Sequence, residues 1–596
     1  MRYLLTAALF FLWLPTVFQG LLYHTYLWQL KEYRLDRMLD FCQTNRRTIL
    51  RNTLGWLAWS ITSLIFPAVG MIGLAGLTGL AGWQFGRHQL YRPVLTGKAI
   101  LTLAGSVITI ALLLLGAVVF RQLWWVLLPG GETFSPELQT LTRVFILLRV
   151  LVPLFVALTV GVIYLPSESQ KRQIIRQAIA RVAAANPQNI IGITGSFGKT
   201  STKTFLATIL SAKYPTFSTA GGTNINIAIA QQILRDLPLS APVIPAPAGL
   251  PNLAELQMVV EMAAYTKGEI ANICRTAPPN IGIWLAVNEQ HLSLFGGIEG
   301  TLQAKYELIA ALPPDGVAIL NGDDPRVMEK CKYWPGRKVI FSVHDPRADV
   351  YATDVTVEPE QLRFTVHLRV PRHLYPTPPT NWGGYAEIPP DTLHVTLKTS
   401  PLSPNRMELW NSKELVVPVA GKHNLSNLLA AIAAAQETGM DLIEIANSVQ
   451  KIQSLPGTLA PCKGRKGTVL VDSSYSSNPT GVRAALDYLT IFEGKKKAML
   501  FPGIIELGEE SARIHRELGA EIARVCDVLI LIKEEFAGPL VEGVLASATP
   551  HATNTEVLRN LGDGEILQRL DQLAGPDTVI LFEGRGTGRF LEAMKS

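Results

Sequence analysis

The sequence predicts an α/β protein preceded by a helical membrane region, and three observations carry that prediction. The first 165 positions of the 596-residue chain are dominated by long uncharged apolar runs. Beyond them, short apolar runs suited to buried strands alternate with helical stretches, the pattern of mostly parallel sheets. The chain also exceeds what one core holds, since single cores stop growing near about 250–300 residues.

Bulk composition narrows the classes. The protein is 48% hydrophobic and 17% charged, with a formal net charge of +6. No stripe of Lys and Arg interleaved with aromatics runs along it, which argues against a nucleic-acid partner. Cys42, Cys274, Cys331, Cys462 and Cys526 are scattered without a C-x-x-C spacing. That pattern fits a reducing compartment and no zinc ribbon or disulfide framework.

Residues 3–22 form a long apolar run with no small-residue cleavage motif after it, so a retained helix is expected. Residues 100–120 and 144–165 are each long enough to cross ~30 Å of hydrocarbon; Arg149 interrupts the second and would have to snorkel or pair. Residues 54–83 are broken by Pro67 and by Gly70, Gly73, Gly76, Gly79 and Gly82. This spacing of three reads either as a close helix-packing face or as a hairpin. Basic residues flank the runs: Lys31, Arg34 and Arg37 before 54–83, Arg87, Arg92 and Lys98 after it, and Lys171, Arg172 and Arg176 after the last span. The positive-inside rule wants all three loops cytoplasmic. A re-entrant 54–83 satisfies it, with a multi-pass protein in the cell membrane and its soluble part in the cytoplasm.

The soluble part is organised around residues 192–203, G-I-T-G-S-F-G-K-T-S-T-K. An apolar run precedes this stretch and a helix is expected from Thr200 to Leu210. Strand, glycine turn, then Lys-Thr at a helix start is the layout that cradles phosphates. The spacing is the tight G-x-x-G-K-T form rather than the general P-loop. Gly195 and Gly198 let the backbone approach the anion, Lys199 adds a charge, and Thr200 can ligate Mg²⁺. Ser196 and Ser201 complete the expected nucleotide-binding set.

Further along, the apolar run 256–262 carries Glu261 where a strand would end. A carboxylate there is placed to ligate Mg²⁺, and an N-cap or salt-bridge role fits it as well. Residues 281–287 read as a strand leading to Asn288-Glu289-Gln290-His291, and a helix over 298–312 carries Lys305 and Glu307. A lone histidine is more often structural than catalytic. Proline-rich insertions are expected at 237–252 and 371–390, and alternating β-rich sequence from Lys338 to about Pro418. An alanine-rich helix follows G-K-H-N-L-S-N at 421–427. From about Pro461, strands at 467–471, 497–502, 528–532 and 579–582 announce a second mostly parallel sheet.

The ordered motifs T-G-S-F-G-K-T-S, V-V-E-M, E-Q-H-L, N-G-D-D-P, G-K-H-N-L-S-N, D-S-S-Y-S-S-N-P and E-L-G-E-E-S-A-R-I-H-R-E-L-G resemble the Mur ligase family, in particular its MurF type. The resemblance runs from about Asn189 to the C-terminus. The apolar runs place transmembrane helices over 1–170, and the resemblance implies a central P-loop ATP-binding α/β domain over 171–457 and a C-terminal Rossmann-like α/β domain over 458–596. By the resemblance, Lys199, His291 and Lys305 are catalytic, and ATP and Mg²⁺ are the cofactors. Thr200, Glu261, His291 and Lys305 would hold metal, Lys305 matching a lysine that is carbamylated in related ligases. Asn424 would contact adenine, with Asp472 and Tyr475 also on the nucleotide. Asn224, Ser474, Asn478 and Pro479 would meet the substrates. Asn321 and Asp324 belong to the N-G-D-D stretch without a defined role.

The implied activity is ATP-dependent amide ligation in peptidoglycan precursor synthesis: a muropeptide carboxylate becomes an acyl phosphate, and an amino acid or a dipeptide such as D-alanyl-D-alanine displaces phosphate. The lipid bilayer is the other expected partner. Several positions depart from the family pattern. Asn224-Ile225 stands for Asn-Asn, Thr458 for a linker Arg, Asp472-Ser473 for Asp-Asp, and Glu583-Gly584 for Lys-Gly. Membrane helices also stand where the MurF type has a soluble UDP-sugar domain, which leaves open a UDP-linked acceptor, a lipid-linked muropeptide or a polyamino acid. The remaining alternative is a nucleotide-binding membrane scaffold without catalysis.

Overall fold

A computed structural model of the chain describes residues 2–30, 67–86, 93–127, 144–238, 255–288, 297–369, 395–400, 403–475, 477–505, 507, 510–547 and 555–595, with isolated positions between 31 and 66. The chain divides into two compact units, Met1–Gln173 and Ile174–Ser596.

The first unit is helical: α1 (Arg2–Leu30), α2 (Pro67–Gly86), α3 (Gly97–Leu127) and the start of α4 (Val152–Ala185). Its core gathers Trp13, Val17 and Leu21, one stripe of α1, against Phe145, Val152 and Phe155. Trp13 Nε1 donates to the Phe145 carbonyl at 2.7 Å and the two rings stack at 4.8 Å. Elsewhere α3 exposes Leu101, Ile108, Leu112 and Leu115. Among the described residues two helical stretches are long and apolar enough to cross a membrane, Gly97–Gly116 and Val152–Ala185.

The structure refines the sequence expectations here. Within 144–165 the helical ladder is interrupted by a single turn residue at Leu151, where Pro153 has no N–H to donate to the preceding turn. Gly76, Gly79 and Gly82 of α2 do not pack on a neighbour among the described residues, where a Cβ on any of them would meet nothing within 4 Å. The buried stripe of α2 is Leu74 and Ala81, with the Thr78 hydroxyl donating to the Leu12 carbonyl between them.

The second unit holds two sheets. The larger begins with β1 (Asn189–Thr194), α5 (Lys199–Leu210), β2 (Thr216–Ser218), α6 (Asn226–Asp236) and β3 (Gln257–Glu261). It continues through α7 (Glu269–Thr276), β4 (Ile281–Trp284), α8 (Ile298–Ala310), β5 (Val317–Asn321), α9 (Pro325–Lys330) and β6 (Arg337–Ser342). The strands β7 (Val350–Val357), β8 (Leu362–Arg369), β9 (Val395–Ser400) and β10 (Ser403–Val417) complete it, before α10 (His423–Glu437) and α11 (Leu442–Val449). Strand order is β2-β3-β1-β4-β5-β6-β7-β8-β10-β9. Pairing is parallel from β2 to β7 and antiparallel from there to the β9 edge.

Alternation along β1 and β3 explains why these runs are so apolar. Ile191, Ile193 and Val259 face the layer of α5, α10 and α11, whereas Ile190, Met258 and Val260 face α6, α7, α8 and the end of α4. A parallel strand covered on both faces has no polar side to show.

The second sheet comprises β11 (Ala460–Lys463), β12 (Val469–Ser473), α12 (Pro479–Thr490), β13 (Lys496–Phe501), α13 (Ser511–Val525) and β14 (Val528–Leu531). Then follow α14 (Ala537–Ala546), β15 (Glu556–Leu558), α15 (Asp563–Leu573), β16 (Thr578–Glu583) and α16 (Gly588–Met594). The order β11-β12-β16-β13-β14-β15 has α12, α13 and α14 on one face and α15 and α16 on the other. All pairs but β11–β12 are parallel. The proline-rich stretches 239–254 and 370–394 lie outside the described residues, as does His291.

The tightest helix pair is α13 on α14. A Cβ on Gly519 would collide with the Leu540 carbonyl, and one on Gly543 with the Arg516 carbonyl. Gly543→Ala is therefore expected to cost about 1–3 kcal/mol by overpacking, read as a lower melting temperature. Gly538→Ala on the same helix, where the added methyl meets nothing, should be neutral or stabilising.

Candidate active site

The carboxyl ends of β1, β3 and β4 converge on one cleft, where an open parallel sheet places ligands. It encloses about 370 Å³. The phosphate loop forms its floor. Gly198, at φ 77°, opens α5 as its N-cap in a left-handed conformation, and a Cβ there would collide with Asn427 Oδ1. Gly195, Ser196, Lys199, Thr200 and Ser201 line the cleft beside it, so the N–H groups of a helix start face the space.

Two lysines from distant segments meet above this floor. Lys199 Nζ donates to the Gly195 carbonyl at 2.8 Å, and Lys305 Nζ, from α8, donates to the same oxygen at 3.0 Å. Burial holds the Lys305 amine well below the ordinary lysine value, with the charge on Lys199 adding to the effect. Burial also lowers Lys199, opposed by Glu261. The loop thus concentrates basic nitrogen that an incoming polyphosphate can recruit.

Glu261 ends β3 only 1% exposed. Its Oε2 accepts from Thr200 Oγ1 at 2.9 Å and Lys203 Nζ at 3.3 Å, and its Oε1 from Asn224 Nδ2 at 3.1 Å. Lys203 also donates to the Gly221 carbonyl. Burial lowers the Lys203 amine while Glu261 opposes the shift by charge and by hydrogen bonding. A carboxylate and a hydroxyl within hydrogen-bond distance, both lining the cleft, form an all-oxygen donor set. Mg²⁺ binds to such pairs together with phosphate oxygens and waters. Among the described residues no group of three His, Cys, Asp or Glu forms a self-sufficient metal cage. The residues fit a metal carried in on a nucleotide.

The opposite wall comes from the second sheet. Tyr475, Asn478 and Pro479 line the cleft, Asn478 capping α12 by accepting from the Gly481 N–H at 3.0 Å. Pro502, Gly503, Ile504 and Ile505 follow β13 into it. His515, fully buried, accepts from the Ile504 N–H at 3.0 Å and donates to the Ser511 carbonyl at 2.7 Å, which moulds this loop.

Three expected site residues sit elsewhere. Asn424 is buried on α10, its amide donating to the Ala420 carbonyl and accepting from Asn427, while His423 and Asn427 line the cleft instead. Burial lowers His423 to about 4, so its ring is neutral at pH 7. Asp472 accepts from the Gly457 N–H and from Ser474, bracing the linker turn rather than facing the cleft. Ser474 is spent on that contact. Asn321 and Asp324 support the loops: Asp324 accepts from the Val287 and Arg326 N–H groups, and Asn321 from that of Asp323. Sequence reading passed over Lys203, although its spacing of four from Lys199 puts both on one side of α5. It also passed over Asn288, Asn427 and Arg585, which depend on long-range placement.

Glu583, standing where the family pattern has lysine, ends β16 fully buried. Its Oε1 accepts from Ser477 Oγ at 2.7 Å, and Oε2 has no partner among the described residues. Burial pushes the carboxyl up to about 7, opposed by Ser473 and Ser477. The folded state therefore holds a proton between 4.5 and about 7 that the unfolded chain releases. Its contribution to stability is complete below 4.5 and lost as pH rises through about 7. Glu583→Gln should remove this fall, which is worth roughly 3 kcal/mol; unfolding followed from pH 4.5 to 8 in both proteins checks it.

Comparison with known proteins bears on the family and the fold. Residues 193–377 match the family model described as Mur ligase middle domain, and residues 461–586 the one described as Mur ligase, glutamate ligase domain. The UDP-N-acetylmuramoyl-tripeptide–D-alanyl-D-alanine ligase of Escherichia coli (strain K12) is 27% identical over 361 residues, 60% of this chain and 68% of the relative. The ligase of the same name from Bacillus subtilis (strain 168) is 25% identical over 407 residues, 68% and 75%. Among solved structures, MurF from Acinetobacter baumannii superposes with a TM-score of 0.56 at 24% identity, covering 71% of this chain and 80% of that one. The MurF ligase from Thermotoga maritima in complex with ADP gives 0.54 at 21%, covering 71% and 82%. At these identities the structures speak for the fold.

Proposed function

We propose, from the premise that this chain belongs to the Mur ligase family and is a MurF-like ATP-dependent ligase, that it acts in peptidoglycan precursor synthesis by joining a muropeptide carboxylate to an amino acid or dipeptide such as D-alanyl-D-alanine. One observation carries this reading: Lys199, Lys305, Thr200 and Glu261 share a cleft with Tyr475, Asn478 and Pro479 of the second sheet. Phosphoryl transfer needs charge neutralisation and alignment rather than covalent help. A carboxylate oxygen attacks the γ-phosphorus and ADP leaves. The amine then adds to the acyl carbon and phosphate departs with one oxygen of the original carboxylate.

Each residue has a part in this. The loop N–H groups, with Ser196 and Ser201, orient the phosphates, and Lys199 moves from the Gly195 carbonyl to the developing charge. Thr200 and Glu261 would hold Mg²⁺, which supplies charge neutralisation at the phosphates. His291, with Lys305, would hold a second ion. Burial lowers the Lys305 amine, which favours its uncharged form; that form would add CO₂ and lose a proton to give a carbamate, an anionic ligand. Asn224, Asn478 and Pro479 meet the acceptor and the amine. The central domain would be 171–457 and the C-terminal domain 458–596.

The reading includes attachment to the cell membrane as a multi-pass protein with the cleft in the cytoplasm. The stretches Gly97–Gly116 and Val152–Ala185 support it. They also favour a second reading of the acceptor as a lipid-linked muropeptide.

The purified full-length protein should release phosphate from ATP only when both a muropeptide and D-alanyl-D-alanine are present. Lys199→Ala should lower the rate at least ~100-fold. Running UDP-linked and lipid-linked acceptors in parallel decides between the two readings. Phosphate release that ignores both co-substrates, or none with any acceptor, rules out the ligase.

A further inference from the structure

The segment after β4 is fixed against the phosphate loop by its main chain. Leu285 N–H donates to the Thr194 carbonyl at 3.0 Å, and Ser196 N–H to the Ala286 carbonyl at 2.8 Å. Val287 is clamped on both sides, its N–H by Asp324 at 2.7 Å and its carbonyl by Arg326 at 3.0 Å. The Asn288 N–H then donates to Ser196 Oγ at 3.1 Å. Its side chain reaches into the other sheet's layer: Nδ2 donates to Thr480 Oγ1 at 3.0 Å and to Asn478 Oδ1 at 3.3 Å. Thr480 is in the first turn of α12 and Asn478 is its N-cap, the same Asn478 oxygen accepting from the Gly481 N–H. The far end of α12 is held separately, since Tyr488, 1% exposed, donates its hydroxyl to the Pro359 carbonyl at 2.6 Å, in the turn between β7 and β8.

We propose that Asn288 is a positioning residue that couples occupancy of the phosphate loop to the seating of α12, and so sets the second sheet over the bound nucleotide. Ser196 is the sensing end. Its hydroxyl oxygen accepts from Asn288, and no acceptor among the described residues takes its proton, so that proton is available to a phosphate oxygen in the cleft. Donating it draws the hydroxyl toward the anion, and the Asn288 N–H moves with the oxygen it is bonded to. Tyr488 is the fixed end, because the Pro359 carbonyl lies far from the nucleotide loop in the chain and takes no part in phosphate binding. Among the described residues Asn288 is tied by its main-chain N–H to the phosphate loop and by its NH₂ to Asn478 and Thr480, so the one residue spans both. The inference goes beyond the proposed function and rests only on nucleotide entering the loop.

Hydrogen exchange of the full-length protein, with and without a non-hydrolysable ATP analogue and Mg²⁺, tests it. In the wild type the analogue should slow exchange in residues 478–484 about tenfold. Asn288→Ala should bind the analogue yet lose this protection, while exchange around Tyr488 stays unchanged. Asn288→Asp, which keeps size but cannot donate, should behave alike and guards against a folding defect. In turnover, Asn288→Ala and Thr480→Val should each raise the KM of the amine substrate several-fold, with the double variant no worse than either. Protection retained in both Asn288 variants, or additive effects on KM, overturns the proposal. Failure of the wild type to bind the analogue overturns the phosphate-loop reading along with it.

Discussion

The site depends on one constraint, the burial of a charged carboxylate at the end of β3. Glu261 is almost without exposure, and an ion taken that far from water costs several kcal/mol unless it is paired and its lone pairs are filled. The chain meets the demand with three donors from two segments: Thr200 and Lys203 from α5, and Asn224 from the loop before α6. Lys203 also holds the Gly221 carbonyl. The same ion pair therefore fixes the helix behind the phosphate loop, the small-residue loop beside it and the strand between them. Removing one partner of such a pair typically costs about 3–5 kcal/mol.

Electrostatics around this carboxylate follow a simple gradient. Lys203 neutralises Glu261 from behind, while Lys199 and Lys305 crowd a single carbonyl in front. Burial lowers both amines, with the charge on Lys199 adding to the effect at Lys305 and Glu261 opposing it at Lys199. A nucleotide would supply the anion these amines lack, and the Thr200–Glu261 oxygen pair beside them would suit the cation it carries. The MurF-like ligase activity has its physical basis in that arrangement.

Much of this was legible from local sequence because its causes are local. Strands covered on both faces must be continuously apolar, so β1, β3, β4 and β16 are visible as runs. The phosphate loop spans a dozen residues, and its glycines and Lys-Thr pair act within that span. Failures came where a choice depended on distant partners. Asn424 and Asn427 are one turn apart on α10, and Asn427, which packs against Gly198 from a distant segment, is the one that lines the cleft. Lys203 finds Glu261 58 residues away and Asn288 finds Thr480 192 residues away. In α2 the glycine spacing suggested a contact face or a hairpin, whereas among the described residues the buried stripe is Leu74 and Ala81.

The central claim is that ATP is spent on activating a carboxylate. It is tested most directly with an acceptor muropeptide labelled with ¹⁸O in the reacting carboxylate, incubated with the protein, ATP, Mg²⁺ and D-alanyl-D-alanine. Attack of that carboxylate on the γ-phosphorus predicts one labelled oxygen in each phosphate released and one in the new amide. Phosphate free of label, with its added oxygen drawn from solvent water, would contradict the account.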